Sequence, residues 1–254
     1  MFSNFESRKD FSVRPRSLNN LHDDDQTQKV NVGFNIIKEK RDSKLHFMFK
    51  HYNYKYDYDS TATDEFDDQG EYQNYFYGLG YEKKWSAKLQ TKINVSRTEV
   101  ERRIYGVDNN SAFSYLYEGE SHRLDIIGDL KTSRNHLSFG ADALEESVSA
   151  LDSKLAQDRK RAQFSMFTNN DFHLGNTILA SGIRITKIHN NKAFVNYKVG
   201  SRVLLDEISW RTNLTTGFKA PSLYNLYATF GGDPNLKVEK AKTLSTSLSH
   251  DNKI

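Results

Sequence analysis

The chain has 254 residues, of which 37% are hydrophobic and 27% charged, and its formal net charge is +3. Its mean hydropathy of -0.75 excludes helical membrane spans, because no apolar run approaches the roughly 20 residues that a helix needs to cross a bilayer. The absence of cysteine excludes disulfides and thiol chemistry, and the scattered basic residues form no patch for nucleic acid.

The amino terminus carries no apolar segment. Charged residues occupy the positions where an export signal needs about 7–15 apolar residues, namely Glu6, Arg8, Lys9 and Asp10. We therefore expect no export signal here, and we assign residues 1–25 to a connecting segment that precedes the first strand.

Apolar and polar residues alternate over most of the remaining chain, and no stretch predicts a convincing helix. In residues 85–95, for example, the apolar Leu89 and Ile93 occupy odd positions, and Lys88 and Lys92 occupy even positions. This period of two is typical of a strand with one wet face. Eleven strands are predicted, at KVNVGFNI, KLHFMF, NYFYGLGYE, WSAKLQTKINV, HRLDIIGDL, NHLSFGADA, AQFSMFT, TILASGIRI, AFVNYKV, ISWRTNLTT and TLSTSLSH.

The predicted connections alternate in length. Short polar turns lie at KEKRDS, EKKWS, KTSRN, HLGN and LLDE, while the opposite strand ends carry long segments at residues 54–71, 97–118, 146–158 and 218–239, with a short exception at 190–191. A soluble sandwich gives no reason for this alternation. An up-and-down barrel in an outer membrane does, because it has short periplasmic turns and long extracellular loops.

The apolar and polar sides of each strand then face different surroundings. In such a barrel the apolar stripe faces lipid and the polar stripe lines a wet interior, and the aromatic residues between 72 and 85 suit an interfacial girdle. Bacterial single-chain barrels have an even number of strands, whereas about eleven are predicted here. An open sheet would also leave unpaired backbone groups at both edges, which is costly in hydrocarbon. We therefore expect this chain not to close a barrel alone.

Two segments near the carboxyl end carry a family resemblance. GFKAPSLYNLY, residues 217–227, and GGDPNLKVEKAK, residues 231–242, resemble a pattern of TonB-dependent outer-membrane receptors, GFKAPSLxxLY followed by GNPNLKPE. Asp233 and Val238 depart from that pattern. Independently, Pro221 cannot donate to a sheet ladder and so predicts that the chain leaves the wall there. The resemblance implies a 22-stranded barrel.

A second resemblance concerns the ligand. HYNYKYDYDSTATDEF, residues 51–66, is similar to a loop of vitamin B12 transporters that contains YNYD and YDSSATLDE, although the present loop is shorter. The resemblance implies that Asn53 and Thr63 hydrogen-bond the amides of a corrinoid. Tyrosine faces also suit a flat corrin ring, so Tyr54, Tyr58 and Tyr227 are further candidate ligand contacts.

An acidic cluster precedes the first predicted strand. B12 transporters order their loops with calcium bound by aspartates, and calcium requires several hard oxygen ligands. The resemblance therefore implies possible calcium ligands at Asp23, Asp24, Asp25 and Asp57. A plain solvated loop is the alternative interpretation of these aspartates.

The resemblance gives the following expectations. The fold is all-β, an antiparallel up-and-down outer-membrane β-barrel that is partial, with about 11 of 22 strands. Residues 1–254 form one barrel domain, and residues 1–25 are the remnant of an extracellular loop. The complete receptor transports cobalamin, lies in the outer membrane of a Gram-negative cell and requires no cofactor. It reaches its partners TonB, ExbB and ExbD only through a plug and a TonB box, which are missing from this sequence.

Two alternatives remain open for this chain. A siderophore receptor would share the architecture and differ only in ligand. A soluble all-β binding protein would instead bury the apolar stripe. An enzyme is not expected, because the eight histidines form no recognisable arrangement with a nucleophile, and no glycine-rich phosphate loop is present.

Overall fold

The computed structural model describes residues 2–11, 25–58, 68–108, 111–152, 155–189, 192–227 and 232–250. These residues form twelve strands and one short helix. The elements are β1 (Phe2–Phe11), β2 (Asp25–Lys40), β3 (Ser43–Tyr58), β4 (Asp68–Lys84), β5 (Leu89–Asp108), β6 (Ser111–Lys131), β7 (Asn135–Asp152), β8 (Leu155–Leu174), β9 (Thr177–Ile188), β10 (Ala193–Leu205), β11 (Ile208–Lys219), α1 (Leu223–Tyr227) and β12 (Glu239–His250).

The twelve strands form a single antiparallel meander. Each strand pairs with the next along the chain, from β1 to β12 without a crossover. This confirms the predicted all-β, up-and-down fold. Within the described residues, the next strand in sequence is always the next strand in space, so β1 and β12 form the two edges.

The predicted short turns are confirmed at one end of the sheet. Two residues connect β2 to β3, β8 to β9 and β10 to β11. Gly175 and Asp206 adopt positive φ values of 59° and 49° in the last two turns, as two-residue hairpins require. In the β4–β5 turn, the Ser86 hydroxyl accepts hydrogen bonds from the backbone N–H groups of Lys88 and Leu89.

The structure has twelve strands where about eleven were predicted, because β1 lies within residues 1–25. Residues 2–11 are therefore not a connecting segment or loop remnant, but a strand paired with β2 from Phe2↔Gly33 to Phe11↔Asp25. The sequence did not predict β1 because it lacks an alternating apolar face: Phe5, 66% exposed, is flanked on its own face by Ser3 and Ser7.

Most of the predicted long connections are also strands. The β5–β6 pairing continues to Asp108↔Ser111, and the β7–β8 pairing to Asp152↔Leu155. Charged residues occupy both faces in these outer segments, so the period of two is lost although the backbone stays extended. The 218–239 segment is largely a connection as predicted, and it contains α1.

One face of the sheet carries a continuous apolar belt. Each strand from β2 to β12 contributes one large apolar side chain that is 39–73% exposed. The cross-strand registers place these side chains on the same face. The belt consists of Ile36, Leu45, Leu79, Val95, Leu124, Phe139, Phe164, Ile185, Val199, Trp210 and Leu244. We call this face the outer face. In the described part of the chain no second sheet covers this face. The alternative of a soluble all-β protein that buries the apolar stripe is therefore not supported.

The opposite face, called the inner face, carries α1. The helix contacts β7 and β8 and buries Leu223, which is only 7% exposed. Among the described residues, no helix is long and apolar enough to cross a membrane.

Candidate ligand-binding surface

A cluster of tyrosines lies on the inner face of β3 and β4. In the sequence HYNYKY every second residue is tyrosine, so strand alternation places Tyr52, Tyr54 and Tyr56 on one face. The ring centroids of Tyr54 and Tyr56 are 5.0 Å apart and stacked, and Tyr52 makes an edge contact with Tyr72 on β4 at 5.9 Å. These rings form an aromatic surface at the end of the sheet away from the tight turns.

Cationic side chains from the neighbouring strands approach this surface. The Lys29 ammonium lies 5.3 Å from the centre of the Tyr54 ring, and Arg102 Nη2 donates to the Tyr56 hydroxyl at 3.3 Å. Gly70 on β4 permits this arrangement, because a Cβ at that position would overlap the Tyr56 ring. The cluster therefore presents aromatic faces together with positive charge, which suits a ligand with aromatic or anionic groups.

A second aromatic and cationic cluster involves α1. The pairing of β11 ends at Lys219, two residues before Pro221. The residues that follow reach across the inner face to β7 and β8, which α1 contacts. There Tyr224 makes an edge contact with Tyr117 of β6 at 5.8 Å. The Arg159 guanidinium lies 4.8 Å from the centre of the Tyr227 ring.

Arg161 connects α1 to the barrel wall. Its Nη1 donates to the Pro221 carbonyl at 2.6 Å, while Nε and Nη2 donate to one carboxylate oxygen of Glu146 at 3.0 and 2.6 Å. The Arg161 side chain is 17% exposed and that of Glu146 is 34% exposed. This partly buried ion pair fixes where the helix begins and so where its tyrosines lie.

The family model of TonB dependent receptor-like β-barrels matches residues 3–253. The chain belongs to this family. Members are outer-membrane receptors and transporters rather than enzymes. A comparison with curated proteins found no match.

Solved TonB-dependent receptors have the same fold at low sequence identity. The FrpB iron transporter of Neisseria meningitidis (F3-3 variant) matches with a TM-score of 0.74 and 12% identity over 99% of this chain and 48% of its own. The ferric citrate transporter FecA matches with a TM-score of 0.73 and 12% identity over 90% and 42%. The copper transporter OprC gives 0.71 and 12% over 91% and 43%. The chain therefore spans about half the length of these receptors.

The predicted ligand contacts of this TonB-dependent receptor barrel do not all lie together. Tyr54 and Tyr227 are on the inner face. Asn53 is on the outer face, because it has the opposite parity from Tyr54, and its Nδ2 donates to Glu71 Oε1 at 3.2 Å. Tyr58 ends β3, where its side chain is not described, and Thr63 lies outside the described residues.

Asn53 belongs to a polar network on the outer face of the receptor barrel. Glu71 Oε1 also accepts a hydrogen bond from Gln73 Nε2 at 2.9 Å and lies 3.3 Å from the Lys55 ammonium. Burial raises the pKa of Glu71, but the hydrogen bonds from Gln73, Asn53 and Lys55 outweigh it and leave the pKa below its usual range. The network lies beyond the apolar belt, on the side away from the tight turns.

The predicted calcium ligands of the receptor are only partly described. Asp23 and Asp24 lie outside the described residues, and the side chain of Asp25 at the start of β2 is not described. The Asp57 carboxylate accepts the backbone N–H of Gln26 at 3.2 Å. Within the described ranges, no three acidic or histidine side chains are grouped to hold a metal ion, so the calcium site stays a prediction.

Sequence reasoning missed the cations of this receptor surface. Lys29, Arg102, Arg159 and Arg161 follow no motif. Arg102 lies within one segment that was predicted to be a long connection, and Arg159 directly follows another. Only the cross-strand registers identify these cations as inner-face residues, since Lys29 pairs with Tyr54, Arg102 with Tyr72 and Arg161 with Glu146.

Proposed function

We propose that this chain forms part of the barrel of an active-transport receptor that takes up an anionic metal chelate of the siderophore type across the outer membrane. The observation that carries the proposal is the pairing of inner-face tyrosines with cations: Lys29 with Tyr54, Arg102 with Tyr56, and Arg159 with Tyr227. The names of the similar structures, which include iron, ferric citrate and copper transporters, support a metal-bearing ligand.

The chemistry of the two clusters suits such a ligand. A ferric chelate with carboxylate or catecholate oxygens carries negative charge and planar groups. Arginine can donate to such oxygens in pairs, while tyrosine supplies a broad ring surface with little conformational entropy to lose. In this proposal the apolar belt faces lipid, and the inner face is open to water.

Cobalamin is the second candidate ligand. The stacked tyrosines of β3 favour it, because they provide flat apolar surface for a corrin ring, and the resemblance of residues 51–66 to B12 transporters points the same way. The position of Asn53 on the outer face weakens the specific amide contact that the resemblance implies. For either ligand, TonB, ExbB and ExbD would supply energy through the plug and TonB box of the complete receptor.

The two ligands can be separated by binding and uptake. Cells that lack their own receptors and produce the intact protein would be given ferric citrate, a ferric catecholate or cyanocobalamin, each radiolabelled. We expect saturable, TonB-dependent uptake of a ferric chelate. Uptake of cyanocobalamin alone would favour the second candidate, and uptake of none of the three would contradict the proposal.

Variants test whether the cations bind the ligand. Arg159→Gln and Arg102→Gln should each weaken binding of the chelate by about tenfold, since roughly 1.4 kcal/mol corresponds to that factor. Arg202→Gln is the matched control, because Arg202 lies on the same face but near the tight turns, where it donates to Ser209 at 2.9 Å. Equal affinities in all three variants would show that the clusters do not contact the ligand.

A further inference from the structure

A row of inner-face residues joins the tyrosine cluster of β3 and β4 to the cluster at α1. The row runs across four strands from Tyr54 through Tyr72 and Arg102 to Tyr117. Tyr117 in turn contacts Tyr224 of α1, with ring centroids 5.8 Å apart. The two clusters are therefore not separate, because aromatic and cationic side chains connect them along the wall.

The next row toward the tight turns carries short side chains between two large ones. It begins at Tyr52 and ends at Arg159, and the four residues between them, which we call the trough, are Asn74, Val100, Gly119 and Val148. A Cβ at Gly119 would meet the nearest atoms, from Ser147 and Val100, only at 3.9 and 4.0 Å. No neighbouring side chain therefore fills the space above this glycine.

Aromatic rings and a cation close the trough at its two ends. At one end Tyr52 meets the Tyr72 ring edge-on, with centroids 5.9 Å apart. At the other end the exposed Arg159 guanidinium lies 4.8 Å from the centre of the Tyr227 ring. The strands of these ends, β3 and β8, are five places apart in the sheet. Since neighbouring strands are about 4.8 Å apart, the trough is about 24 Å long.

We propose that the two clusters form one binding site for an elongated chelate, which carries its anionic metal complex at one end and a second planar anionic group at the other. One group lies against Tyr52, with Arg102 in the neighbouring row, and the other lies against Tyr227 and Arg159. The uncharged middle of the ligand crosses the trough at Gly119. A compact chelate reaches one end only. The inference rests on the proposed function and adds the length and shape of the ligand.

Binding of three synthetic chelates to the intact receptor tests this inference. The compact probe is a ferric catecholate. The elongated probe is the same chelate with an alkyl chain ending in a benzoate, which extends about 24 Å from the iron to match the five strand spacings. The third probe has a chain of half that reach. We expect the elongated probe to bind at least about tenfold more tightly than the other two, because its second anionic group binds in the same event.

Gly119→Leu tests the role of the trough. The new side chain stands in the path of the ligand and should weaken binding of the elongated probe by at least about tenfold, since the two ends no longer bind together. Affinity for the compact probe should not change, which also shows that the variant is folded. Ser247→Leu is the matched control, because it adds leucine at an exposed inner-face position on β12, opposite Arg211. It should leave all three affinities unchanged.

The possible failures of the inference and of the proposed function differ. Equal affinities for the compact and elongated probes, or an elongated probe that Gly119→Leu does not weaken, would overturn the inference and leave the proposed function in place. Binding of none of the three probes would overturn both.

Discussion

Replacement of Arg161 by glutamine should release α1 from the barrel wall. The substitution removes three charge-assisted hydrogen bonds, one to the Pro221 carbonyl at 2.6 Å and two to Glu146 at 3.0 and 2.6 Å. It also leaves the Glu146 carboxylate, 34% exposed, without its guanidinium partner. A helix of five residues has no stability of its own, so the contacts of α1 with the wall must hold it in place.

The magnitude follows from the burial of the pair. Breaking a fully buried ion pair costs about 3–5 kcal/mol, and an exposed pair contributes about 0–1 kcal/mol. Arg161 and Glu146 are between these limits, so we expect a cost of about 2 kcal/mol. With 1.36 kcal/mol for each factor of ten, the population of detached α1 should rise by about 30-fold.

Cysteine labelling measures that population. The chain has no cysteine, and Leu223 is 7% exposed, so Leu223→Cys introduces a thiol that reacts with a maleimide only when α1 detaches. Addition of Arg161→Gln should speed labelling by about 30-fold, and addition of the control Arg202→Gln should leave the rate unchanged. Equal rates with and without Arg161→Gln would refute the role of Arg161 in holding the helix.

Three further predictions concern stability. Gly70→Ala should lower stability by about 1–3 kcal/mol, since the new methyl group overlaps the Tyr56 ring, and calorimetry would show no change in melting temperature if the ring moved aside freely. The pKa of Glu71 is lowered in the folded state, so its contribution to stability is fully present above the unfolded pKa and is lost as pH falls through the folded pKa. Melting curves of Glu71→Gln should lack this acid-dependent loss, and parallel curves for both proteins would contradict the prediction. Ser165→Ala should lower the free energy of unfolding by about 1–3 kcal/mol, because it leaves the buried Thr186 hydroxyl without its 3.1 Å hydrogen bond. Adding Thr186→Val should restore much of that loss in denaturant titrations. Equal stability of the single and double variants would count against this hydrogen bond.

The sequence predicted the parts of the fold in which one face is apolar. Residues such as Leu89, Ile93 and Val95 alternate with polar residues because one side of the strand is wet and the other is not, and this signal identified eleven of the twelve strands and all the tight turns. It disappears in β1 and in the outer segments of β5 to β8, because both faces there are polar. Backbone pairing continues in those segments without leaving a period in the sequence.

The candidate site was predictable only where a local pattern encodes it. The alternate tyrosines at 52, 54 and 56 place one another on a single face, so the aromatic surface could be anticipated. The Arg161–Glu146 pair depends on the register between β7 and β8, and the position of Tyr227 depends on α1 lying across the inner face. Neither relationship is visible in the local sequence. Asn53 lies on the face opposite to the tyrosines, and its role as a ligand contact stays a prediction.

The strict alternation in HYNYKY also constrains how this surface can change during evolution. Deletion of a single residue before Tyr52 would exchange the two sides of the segment, placing His51, Asn53 and Lys55 toward the interior and the tyrosine rings toward the outside. Loss of two residues would shorten the strand and preserve its sidedness. Relatives that keep the tyrosine surface should therefore differ in the length of this strand by even numbers of residues.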